Sequence, residues 1–429
     1  MPNMSQSRIF AWHYDTVLLM IMTDYIDREL HQTVSRALKM IPVVVITGMR
    51  QTGKTTFLRH DGLFRDYRYE TLDDFATLQT ARNNPESLLA TGDPLVVDEA
   101  QKAPELLIAL KRAVDQNRIP GQFVLSGSAN FTLLKSLSES LAGRAVYFTL
   151  LPFSQRELLG SSDNVPLLAR LFESADVFDL PVGIPIDPAA VLKGGMPSVQ
   201  SLSPADMALW FRGFEQTYVE RDIRDFARID DVLGFRTVMK LAALRSGQIV
   251  NVSQLARDAR LSVPTLTRYM NLAETGFLTR RLPPFLRNRS TRLIKSPKLY
   301  LTDSGIAAHI AGVEGIHPED DEPLRGALFE TYVLQNISSI LEAHLPDAAV
   351  AYWHIQGRHE VDFVIENRNS CVALELKAAS RWSEKDLSSL RRFIEETPSC
   401  IAGVLMHNGN RVSRLGEKLW ALPMGMVIS

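Results

Sequence analysis

Apolar residues along the first third of the chain follow two patterns, one helical and one extended. Ile26, Leu30, Val34 and Leu38 recur every four residues and predict an amphipathic helix over residues 23–39. Three short runs are apolar without alternation, at residues 43–46, 95–97 and 123–125. Such runs are typical of strands buried on both faces of a sheet, with helices between them. The pattern therefore predicts an α/β fold with a doubly wound parallel sheet.

The rest of the chain divides by composition and periodicity. Pro, Gly, Asp and Ser are frequent over residues 161–205, which predicts a connecting segment. Helical spacing predicts a helical region over 206–305, and residues 320–429 mix helices with short strands. The strands expected there lie at 349–354, 361–365 and 372–376. At about 150 residues per domain, 429 residues accommodate about three folding units, the first over 23–160.

Composition excludes several classes of protein. The chain has 47 Lys and Arg against 49 Asp and Glu, which argues against a uniformly basic coat for nucleic acid but allows local patches. Cys371 and Cys400 lie outside any CxxC or Cys/His cluster, which excludes a zinc ribbon or disulfide framework and favours the reducing cytoplasm. The apolar run 17–22 follows Asp15 and is too short to span a bilayer, so neither a membrane span nor an export signal is expected.

The N-terminal 22 residues are predicted to be a disordered extension. Met22 is followed by Thr23 and Asp24, which are good helix-capping types, so the folded part is expected to begin there. Translation from Met1 and from Met22 are both left open.

Residues 48–55 read GMRQTGKT and match the phosphate-binding pattern G-x-x-x-x-G-K-[ST]. The motif lies between a predicted buried strand and a helical run, where backbone N–H groups and a helix N-terminus can meet phosphate. Lys54 is expected to reach the β- and γ-phosphates of ATP or GTP, and Thr55 to ligate Mg²⁺. The expected nucleotide-binding residues are Gly48, Met49, Arg50, Gln51, Thr52, Gly53, Lys54, Thr55 and Thr56.

Asp98 and Glu99 follow the second apolar run. Phosphoryl transfer needs positioning and charge neutralisation, so Asp98 is expected to hold Mg²⁺, directly or through water, and Glu99 to polarise the attacking water. Ser126, after the third run, is predicted either to sense the γ-phosphate or to cap the next helix. Arg144 is predicted either to act on the transition-state charge, in cis or in a neighbouring subunit, or to be a solvated residue after Gly143.

Residues 252–282 have the rhythm of a helix-turn-helix with a wing. Ser253 and Ser262 are predicted to cap its two helices, and Thr265 and Arg268 to face DNA. Residues 276–302 then carry basic side chains and no acidic ones: Arg280, Arg281, Arg287, Arg289, Arg292, Lys295 and Lys298. Double-stranded DNA is therefore the expected partner, and a winged helix that meets an acidic protein is the alternative.

The last third holds a second group of charged residues. Glu330 lies on a helix predicted to begin near Leu324. Residues two apart on a strand share a face, so Glu375 and Lys377 point the same way, and a hairpin would bring Asp362 beside them. Two carboxylates with a lysine can hold Mg²⁺ and activate water. A satisfied carboxylate–lysine cluster in an inactive fold is the alternative.

Eight motifs support a family resemblance: residues 46–56 (ITGMRQTGKTT), 97–101 (VDEAQ), 125–130 (LSGSAN), 141–144 (LAGR), 151–157 (LPFSQRE), 194–197 (GGMP), 218–222 (YVERD) and 299–305 (LYLTDSG). Together they resemble prokaryotic AAA-type P-loop ATPases that carry a C-terminal domain of unknown function. The chain departs from these relatives at Met49, where they often carry a small residue or proline. We expect that change to affect loop stiffness more than chemistry.

The C-terminal pattern resembles the PD-(D/E)xK restriction-endonuclease superfamily, with Asp362, Glu375, Lys377 and Glu330 at its motif positions. The two resemblances imply a P-loop ATPase core, a winged-helix middle and an α/β restriction-endonuclease-like end, with ATP and Mg²⁺ as cofactors. The leading hypothesis is an ATPase whose hydrolysis of ATP switches the C-terminal regions, which engage DNA or a protein. A nucleotide-regulated Mg²⁺-dependent DNase and a non-catalytic protein-binding module are the alternatives. Homo-oligomerisation is left open, because an arginine acting in trans requires it.

Overall fold

The computed structural model describes residues 25–90, 92–128, 141–174, 185–218, 231–286, 295–316, 323–355 and 358–429. The predicted extension 1–22, the basic residues Arg287, Arg289 and Arg292, and most of the motif 218–222 lie outside this set.

Five parallel strands form the first sheet, in the order β2-β3-β4-β1-β5. They are β1 Val43–Thr47, β2 Arg68–Thr71, β3 Leu95–Asp98, β4 Phe123–Ser126 and β5 Ala145–Thr149. The three strands predicted from continuous apolar runs are β1, β3 and β4, and each is buried along its whole length. The predicted parallel α/β sheet is confirmed, and it matches the fold of P-loop ATPases.

Helices cover both faces of this sheet. Val43 and Val45 of β1 pack into one apolar cluster, and Val44 and Ile46 into another, as a doubly wound sheet requires. The helices are His31–Leu38, Lys54–His60, Phe75–Asn83, Pro85–Leu89 and Pro104–Gln116, with 3₁₀ turns at Gly62–Phe64 and Ala100–Lys102.

The first helix is shorter than the predicted span of 23–39, because residues expected in its first turns bind distant parts of the chain instead. Arg28 and Glu29 point into the protein, and the amide N–H of Glu29 donates to Glu157 Oε1 at 2.8 Å. The helix therefore begins at His31.

The middle of the chain is helical and includes a two-stranded ribbon. Its helices are Gln155–Leu158, Leu167–Glu173, Pro188–Lys193, Pro204–Thr217, Val232–Leu244, Val252–Asp258, Val263–Thr275 and Ser304–Ala311, with a 3₁₀ turn at Pro197–Val199. Strands β6 Thr279–Leu282 and β7 Lys298–Leu301 pair antiparallel, and we call them the ribbon. Several buried residues from the described parts of 161–205 pack in the same core as these helices.

The predicted helix pair at 252–282 is present, with one correction at its start. Ser262 caps the second helix as expected, accepting the Thr265 N–H at 3.3 Å. The first helix begins at Val252, and its cap is Asn251, whose side chain accepts the Gln254 N–H at 3.0 Å. Ser253 lies inside the helix, because Asn251 already supplies the acceptor two residues earlier.

A mixed six-stranded sheet forms the C-terminal region, in the order β12-β13-β11-β10-β9-β8. Its strands are β8 Ala349–Ile355, β9 His359–Asn367, β10 Ser370–Lys377, β11 Cys400–His407, β12 Ser413–Arg414 and β13 Leu419–Pro423. Its helices are Pro323–His344, which we call the long helix, Ser388–Glu396 and Met424–Val427, with a 3₁₀ turn at Glu384–Leu387. The strands predicted at 349–354, 361–365 and 372–376 are β8, β9 and β10.

A single large apolar core joins the middle and C-terminal regions, and Met49 of the phosphate-binding motif is part of it. Within the described residues, no helix has the length and apolar character needed to cross a bilayer.

Candidate functional site

The carboxyl ends of β1, β3 and β4 meet at one edge of the first sheet, which we call the nucleotide edge. Gly48 follows β1 with a φ of 144°, and a Cβ there would lie 2.3 Å from the Leu150 carbonyl oxygen. Only glycine can pass this close to the chain that leaves β5. The phosphate loop is therefore pressed against the end of β5.

The loop is folded around its own lysine. Lys54 begins the next helix, and its buried Nζ donates to the carbonyls of Gly48 at 3.0 Å and Met49 at 2.8 Å. Thr52 Oγ1 donates to the same Met49 carbonyl at 2.9 Å. Gln51 has a φ of 63°, so the loop contains a left-handed turn at a residue other than glycine. Arg50 is half-buried, while Thr55 and Thr56 lie on the first turn of the helix and are largely exposed.

Asp98 collects hydroxyl donors at the nucleotide edge. Its Oδ2 accepts from Thr55 Oγ1 at 2.6 Å and from the Tyr69 hydroxyl at 2.7 Å, and its Oδ1 accepts from Ser126 Oγ. Burial and the bond to Asp98 raise the pKa of Tyr69 to about 12, so the phenol stays a donor at neutral pH. A carboxylate beside a threonine hydroxyl is an oxygen-donor pair of the kind that Mg²⁺ prefers. The residues present therefore fit a Mg²⁺ ion here.

Glu99 adopts a strained conformation next to Asp98. Its φ is 58°, in the left-handed region, and such a residue costs about 1–3 kcal/mol that the surrounding structure must offset. The Gln101 side-chain amide binds the Glu99 carboxylate and also reaches Ser128 Oγ at 3.2 Å. Gln101 thus orients the carboxylate that the sequence predicts to polarise water.

Ser126 and Arg144 make contacts that the sequence did not predict. Ser126 lies at the end of β4 and is bound to Asp98, so its hydroxyl orients the Asp98 carboxylate. Arg144 precedes β5, and its carbonyl accepts the N–H of Val43, the first residue of β1. Because the two strands are parallel, Arg144 lies at the edge opposite Gly48, roughly 16 Å away along a strand of this length. This position does not permit the predicted role in cis. Its Nε pairs with Asp115 Oδ1 at 2.5 Å.

The sequence did not indicate Arg28, whose buried side chain binds the backbone of the phosphate loop. Its side chain is 3% exposed, and Nη1 donates to the Thr52 carbonyl at 2.9 Å. Nη2 donates to the Leu151 carbonyl at 2.6 Å, and Nε pairs with Glu157 at 2.9 Å. The guanidinium also lies 4.6 Å from the centre of the Phe153 ring. The signal that the sequence offered for this role was the pair of charged residues Arg28 and Glu29 within the amphipathic helix predicted over residues 23–39.

The ion pairs continue from Arg28 to the long helix. Glu29 Oε1 pairs with Arg156 Nε at 2.6 Å, and Glu29 Oε2 contacts His344 Nε2 at 2.7 Å. Burial raises the pKa of Glu157, although Arg28 opposes the shift. This chain of buried charges joins the phosphate loop to the last residue of the long helix.

The long helix also binds the backbone that leaves β5. Asn336 Oδ1 accepts the Gln155 N–H at 2.6 Å, and Glu342 Oε1 accepts the Thr149 N–H at 2.7 Å. Since these backbone groups follow directly from β5, the helix is fixed against the nucleotide domain at several points.

The GGMP and LTDSG motifs form a seam beside the phosphate loop. A Cβ on Gly195 would lie 2.1 Å from the Phe153 carbonyl oxygen, and the Gly195 N–H donates to Asp303 Oδ2 at 2.7 Å. Asp303 Oδ1 also caps the helix after it, accepting the Ile306 N–H at 2.9 Å. Burial raises the pKa of Asp303 to about 6. A Cβ added to Gly53 would lie 3.7 Å from Pro197 Cγ, so Pro197 packs beside the phosphate loop.

The C-terminal cluster brings together the four residues predicted from the sequence. Asp362 Oδ2 accepts the Leu376 N–H at 2.9 Å, and Lys377 Nζ lies 3.3 Å from Glu375 Oε1. Glu330 reaches the same region from the long helix and accepts the Tyr300 hydroxyl at 3.0 Å.

Lys298 completes this cluster, and sequence reasoning had placed it in a basic DNA-binding stretch. Its Nζ lies 3.6 Å from Asp362 Oδ1 and 4.0 Å from Glu330 Oε2, and it pairs with Glu360. Burial, followed by the charge of Asp362, raises the pKa of Glu330 to about 8, and Lys298 opposes the shift. No group of three or more His, Cys, Asp or Glu side chains in the described chain has an arrangement that could hold a metal ion. In this conformation the cluster does not fit the expected Mg²⁺.

Two of the four predicted DNA contacts are engaged within the protein. Arg280 turns inward and binds Ser338 of the long helix, and burial lowers its pKa. Arg281 Nε binds Glu274 Oε2 at 2.6 Å. Arg268 is exposed with its guanidinium 5.8 Å from the Tyr269 ring, and Thr265 is half-buried. Within the described part of the chain, the outward basic surface is therefore smaller than the sequence predicted.

Comparison with known families divides the chain into three matched parts. Residues 41–159 match a model described as an AAA domain. Residues 188–316 and 325–427 match two models described as domains of unknown function, DUF8612 and DUF4143.

Similar sequences occur in bacteria. An uncharacterized protein of Mycobacterium tuberculosis is 29% identical over 356 residues, covering 82% of this chain and 74% of its own length. An uncharacterized protein of Haemophilus influenzae is 23% identical over 299 residues, covering 64% of this chain and 70% of its own length.

Similar solved structures include the Walker-type ATPase PABY2304 of Pyrococcus abyssi and the RuvB Holliday junction branch migration motor of Thermotoga maritima. The first has a TM-score of 0.42 at 15% identity, covering 67% of this chain and 96% of that one. The second has a TM-score of 0.28 at 17% identity, covering 59% of this chain and 86% of that one. The parallel sheet, the phosphate loop and the family match together support an AAA-type P-loop ATPase domain over residues 41–159.

Proposed function

We propose that this chain hydrolyses ATP with Mg²⁺ at the nucleotide edge, and that ATP binding and hydrolysis switch the middle and C-terminal regions. The observation that carries the proposal is the 2.6 Å contact between Thr55 Oγ1 and Asp98 Oδ2, which joins the phosphate loop to the neighbouring acidic strand end. These are the two side chains that phosphoryl transfer needs beside a metal ion.

The chemistry follows from the side chains around this contact. When bound, Mg²⁺ neutralises phosphate charge, and Thr55 and Asp98 are the residues that would hold it. Lys54 exchanges its bonds to the loop carbonyls for bonds to phosphate oxygens. Water attacks the γ-phosphorus as the bond to the bridging oxygen breaks, and Glu99 accepts the hydrogen bond that orients this water. The products are ADP and inorganic phosphate.

The proposed switch rests on contacts that the phosphate loop makes outside its own domain. Met49 is 1% exposed and packs in the core shared by the middle and C-terminal regions. Arg28 binds the Thr52 carbonyl and connects, through Glu157 and Glu29, to His344 of the long helix. A change in loop conformation on nucleotide binding would disturb both contacts. The switched regions would then engage double-stranded DNA or a protein partner.

ATP hydrolysis by the full chain tests the proposal. Wild type, Lys54→Ala and Glu99→Gln are compared with and without double-stranded DNA at two salt concentrations, with the exposed Lys240→Ala as the matched control. We expect hydrolysis by wild type and the control, and loss in the other two. Stimulation by DNA that fades with salt supports a DNA partner, because phosphate contacts are salt-dependent. Absence of hydrolysis by wild type in all conditions contradicts the proposal.

A role for Arg144 would require a second subunit, because it lies far from the phosphate loop of its own chain. Mixing Arg144→Ala with Lys54→Ala tests it: each subunit would supply what the other lacks. Partial recovery of hydrolysis is expected for a homo-oligomer with an arginine acting in trans. If the mixture stays as inactive as its components, this role fails.

Metal-dependent DNA cleavage at the C-terminal cluster is the second proposal. It is favoured by the convergence of Asp362, Glu375 and Lys377 on adjacent strands β9 and β10. It requires Lys298 to leave the cluster so that Mg²⁺ can bind, and it then predicts Mg²⁺-dependent cleavage that Asp362→Ala abolishes. Cleavage that persists in the variant would come from a contaminant, and absence of cleavage under all conditions would favour a non-catalytic binding module.

A further inference from the structure

The C-terminal cluster already contains a cation, because the ribbon supplies one. We propose that Lys298 takes the place of a divalent cation among Glu330, Glu360 and Asp362, and that the cluster binds no divalent cation while the ribbon is docked. The inference does not rest on ATP hydrolysis.

Lys298 is positioned as a built-in counter-ion. Its side chain is 3% exposed, and its Nζ lies within 4.0 Å of carboxylate oxygens from Glu330 on the long helix and from Glu360 and Asp362 on β9. A surface lysine gains little from one exposed partner, whereas a buried ammonium needs several compensating contacts. The cluster supplies three.

A divalent cation would compete for the same oxygens. Mg²⁺ binds carboxylate oxygens at about 2.0–2.1 Å, and repulsion between two cations within a few ångströms is strong in a buried site. Binding of the ion therefore requires Lys298 to leave.

Glu375 shows that the cluster has unused acceptor capacity. It is 8% exposed, and Lys377 binds only its Oε1. Its Oε2 is buried with no hydrogen-bond partner among the described residues. A buried, unsatisfied carboxylate oxygen is costly, and a metal ion would satisfy it. The carboxylate oxygens of the cluster are thus not all satisfied while Lys298 is in place.

The ribbon determines where Lys298 lies. Lys298 pairs with Leu282 of β6 and forms an isolated bridge with Ile249. The Tyr352 hydroxyl of β8 donates to the Ser296 carbonyl at 2.7 Å, which fixes the chain just before β7 to the C-terminal sheet. Withdrawal of Lys298 therefore requires movement of the ribbon.

The experiment compares wild type, Lys298→Met and Lys295→Met as full chains, all in an Asp98→Asn background that removes the metal carboxylate of the nucleotide edge. Lys295 is exposed on the same segment, so its replacement is the matched loss of charge. Mn²⁺ binding is measured by calorimetry, and the unfolding temperature is measured in EDTA and in millimolar Mn²⁺.

We expect chains that keep Lys298 to bind no Mn²⁺ at the cluster and to unfold at the same temperature in both solutions. Lys298→Met should unfold at a lower temperature in EDTA, because it leaves buried carboxylates unpaired, and should regain several degrees with Mn²⁺. Folded Lys298→Met that neither binds Mn²⁺ nor gains stability overturns the inference.

The chain that keeps Lys298 provides a test that does not depend on whether Lys298→Met folds. If the chain with Lys298 intact binds one Mn²⁺ and Asp362→Asn removes that binding, Lys298 does not exclude the ion and the inference fails. Because the nucleotide edge is disabled throughout, neither result depends on whether the chain hydrolyses ATP.

Discussion

Two buried aspartates, Asp98 at the end of β3 and Asp362 within β9, show how the same residue type can produce different sites. Asp98 is surrounded by the hydroxyls of Thr55, Tyr69 and Ser126, whereas Asp362 faces the ammonium of Lys298. A hydroxyl is neutral and can share its oxygen with a metal ion, but an ammonium has no lone pair and repels other cations. The groups that surround a carboxylate therefore decide whether it is ready for a metal.

The largest contrast is expected in ATP hydrolysis by Asp98→Asn and Asp362→Asn. Removing the Asp98 charge disables the proposed metal position, and we expect the rate to fall by about 100-fold or more. Asp362 lies in a separate cluster, so its variant should lose far less. Steady-state phosphate release measures both. Equal losses would show that the two regions act as one site.

Arg28→Met is expected to have the next largest effect, on stability. It leaves Glu157 buried without its cation, and breaking a buried pair in this way costs about 3–5 kcal/mol. Chemical denaturation measures the change. The double variant Arg28→Met/Glu157→Gln should recover part of it, and no recovery would show that the Thr52 and Leu151 contacts carry the loss instead.

Asp303 is expected to make stability depend on pH. Burial raises the pKa of Asp303 from its ordinary value of 3.8 to about 6, so the folded state binds the proton more tightly than the unfolded state. The resulting stability is fully present below about pH 4 and is lost as pH rises through about 6, by roughly 3 kcal/mol at most. Denaturation between pH 4 and 7 should show a smaller decline for Asp303→Asn. An identical decline would assign the effect to other carboxyls.

Tyr69→Phe should have the smallest of these effects. It removes one of the donors to Asp98 and leaves Thr55 and Ser126 in place. Loss of one hydrogen bond to a charged group is worth about 1.5–3 kcal/mol, and part of it is regained when Mg²⁺ binds the same oxygen. We expect up to about a tenfold change in the Mg²⁺ concentration that half-saturates hydrolysis. No change would show that Tyr69 acts only in packing.

The first sheet could be predicted because its signal is local. Strands β1, β3 and β4 are continuous apolar runs, and the phosphate motif lies at the end of one of them. The N-terminal helix was predicted too long, because Arg28 and Glu29 are held by partners more than a hundred residues away. Apolar spacing carries no information about such partners.

The errors at the two sites have the same origin. Lys298 looked like a surface residue because its sequence neighbours are basic, while its carboxylate partners come from β9 and the long helix. Arg144 was predicted either to act on the transition-state charge or to be solvated, and the parallel register of β5 with β1 places it at the edge away from the phosphate loop. Charge type can be read along a chain, but charge pairing depends on tertiary structure.

The long helix limits where codons can be inserted into or deleted from the gene. Glu330 and His344 lie on the same 22-residue helix, roughly 20 Å apart. Inserting one codon between Glu330 and Asn336 would rotate the two parts by about 100° relative to each other. Glu330 would then leave Lys298, or Asn336 and Glu342 would leave the segment after β5. Insertions and deletions accumulate freely in surface loops, but along this helix they would separate the two regions in one mutational step.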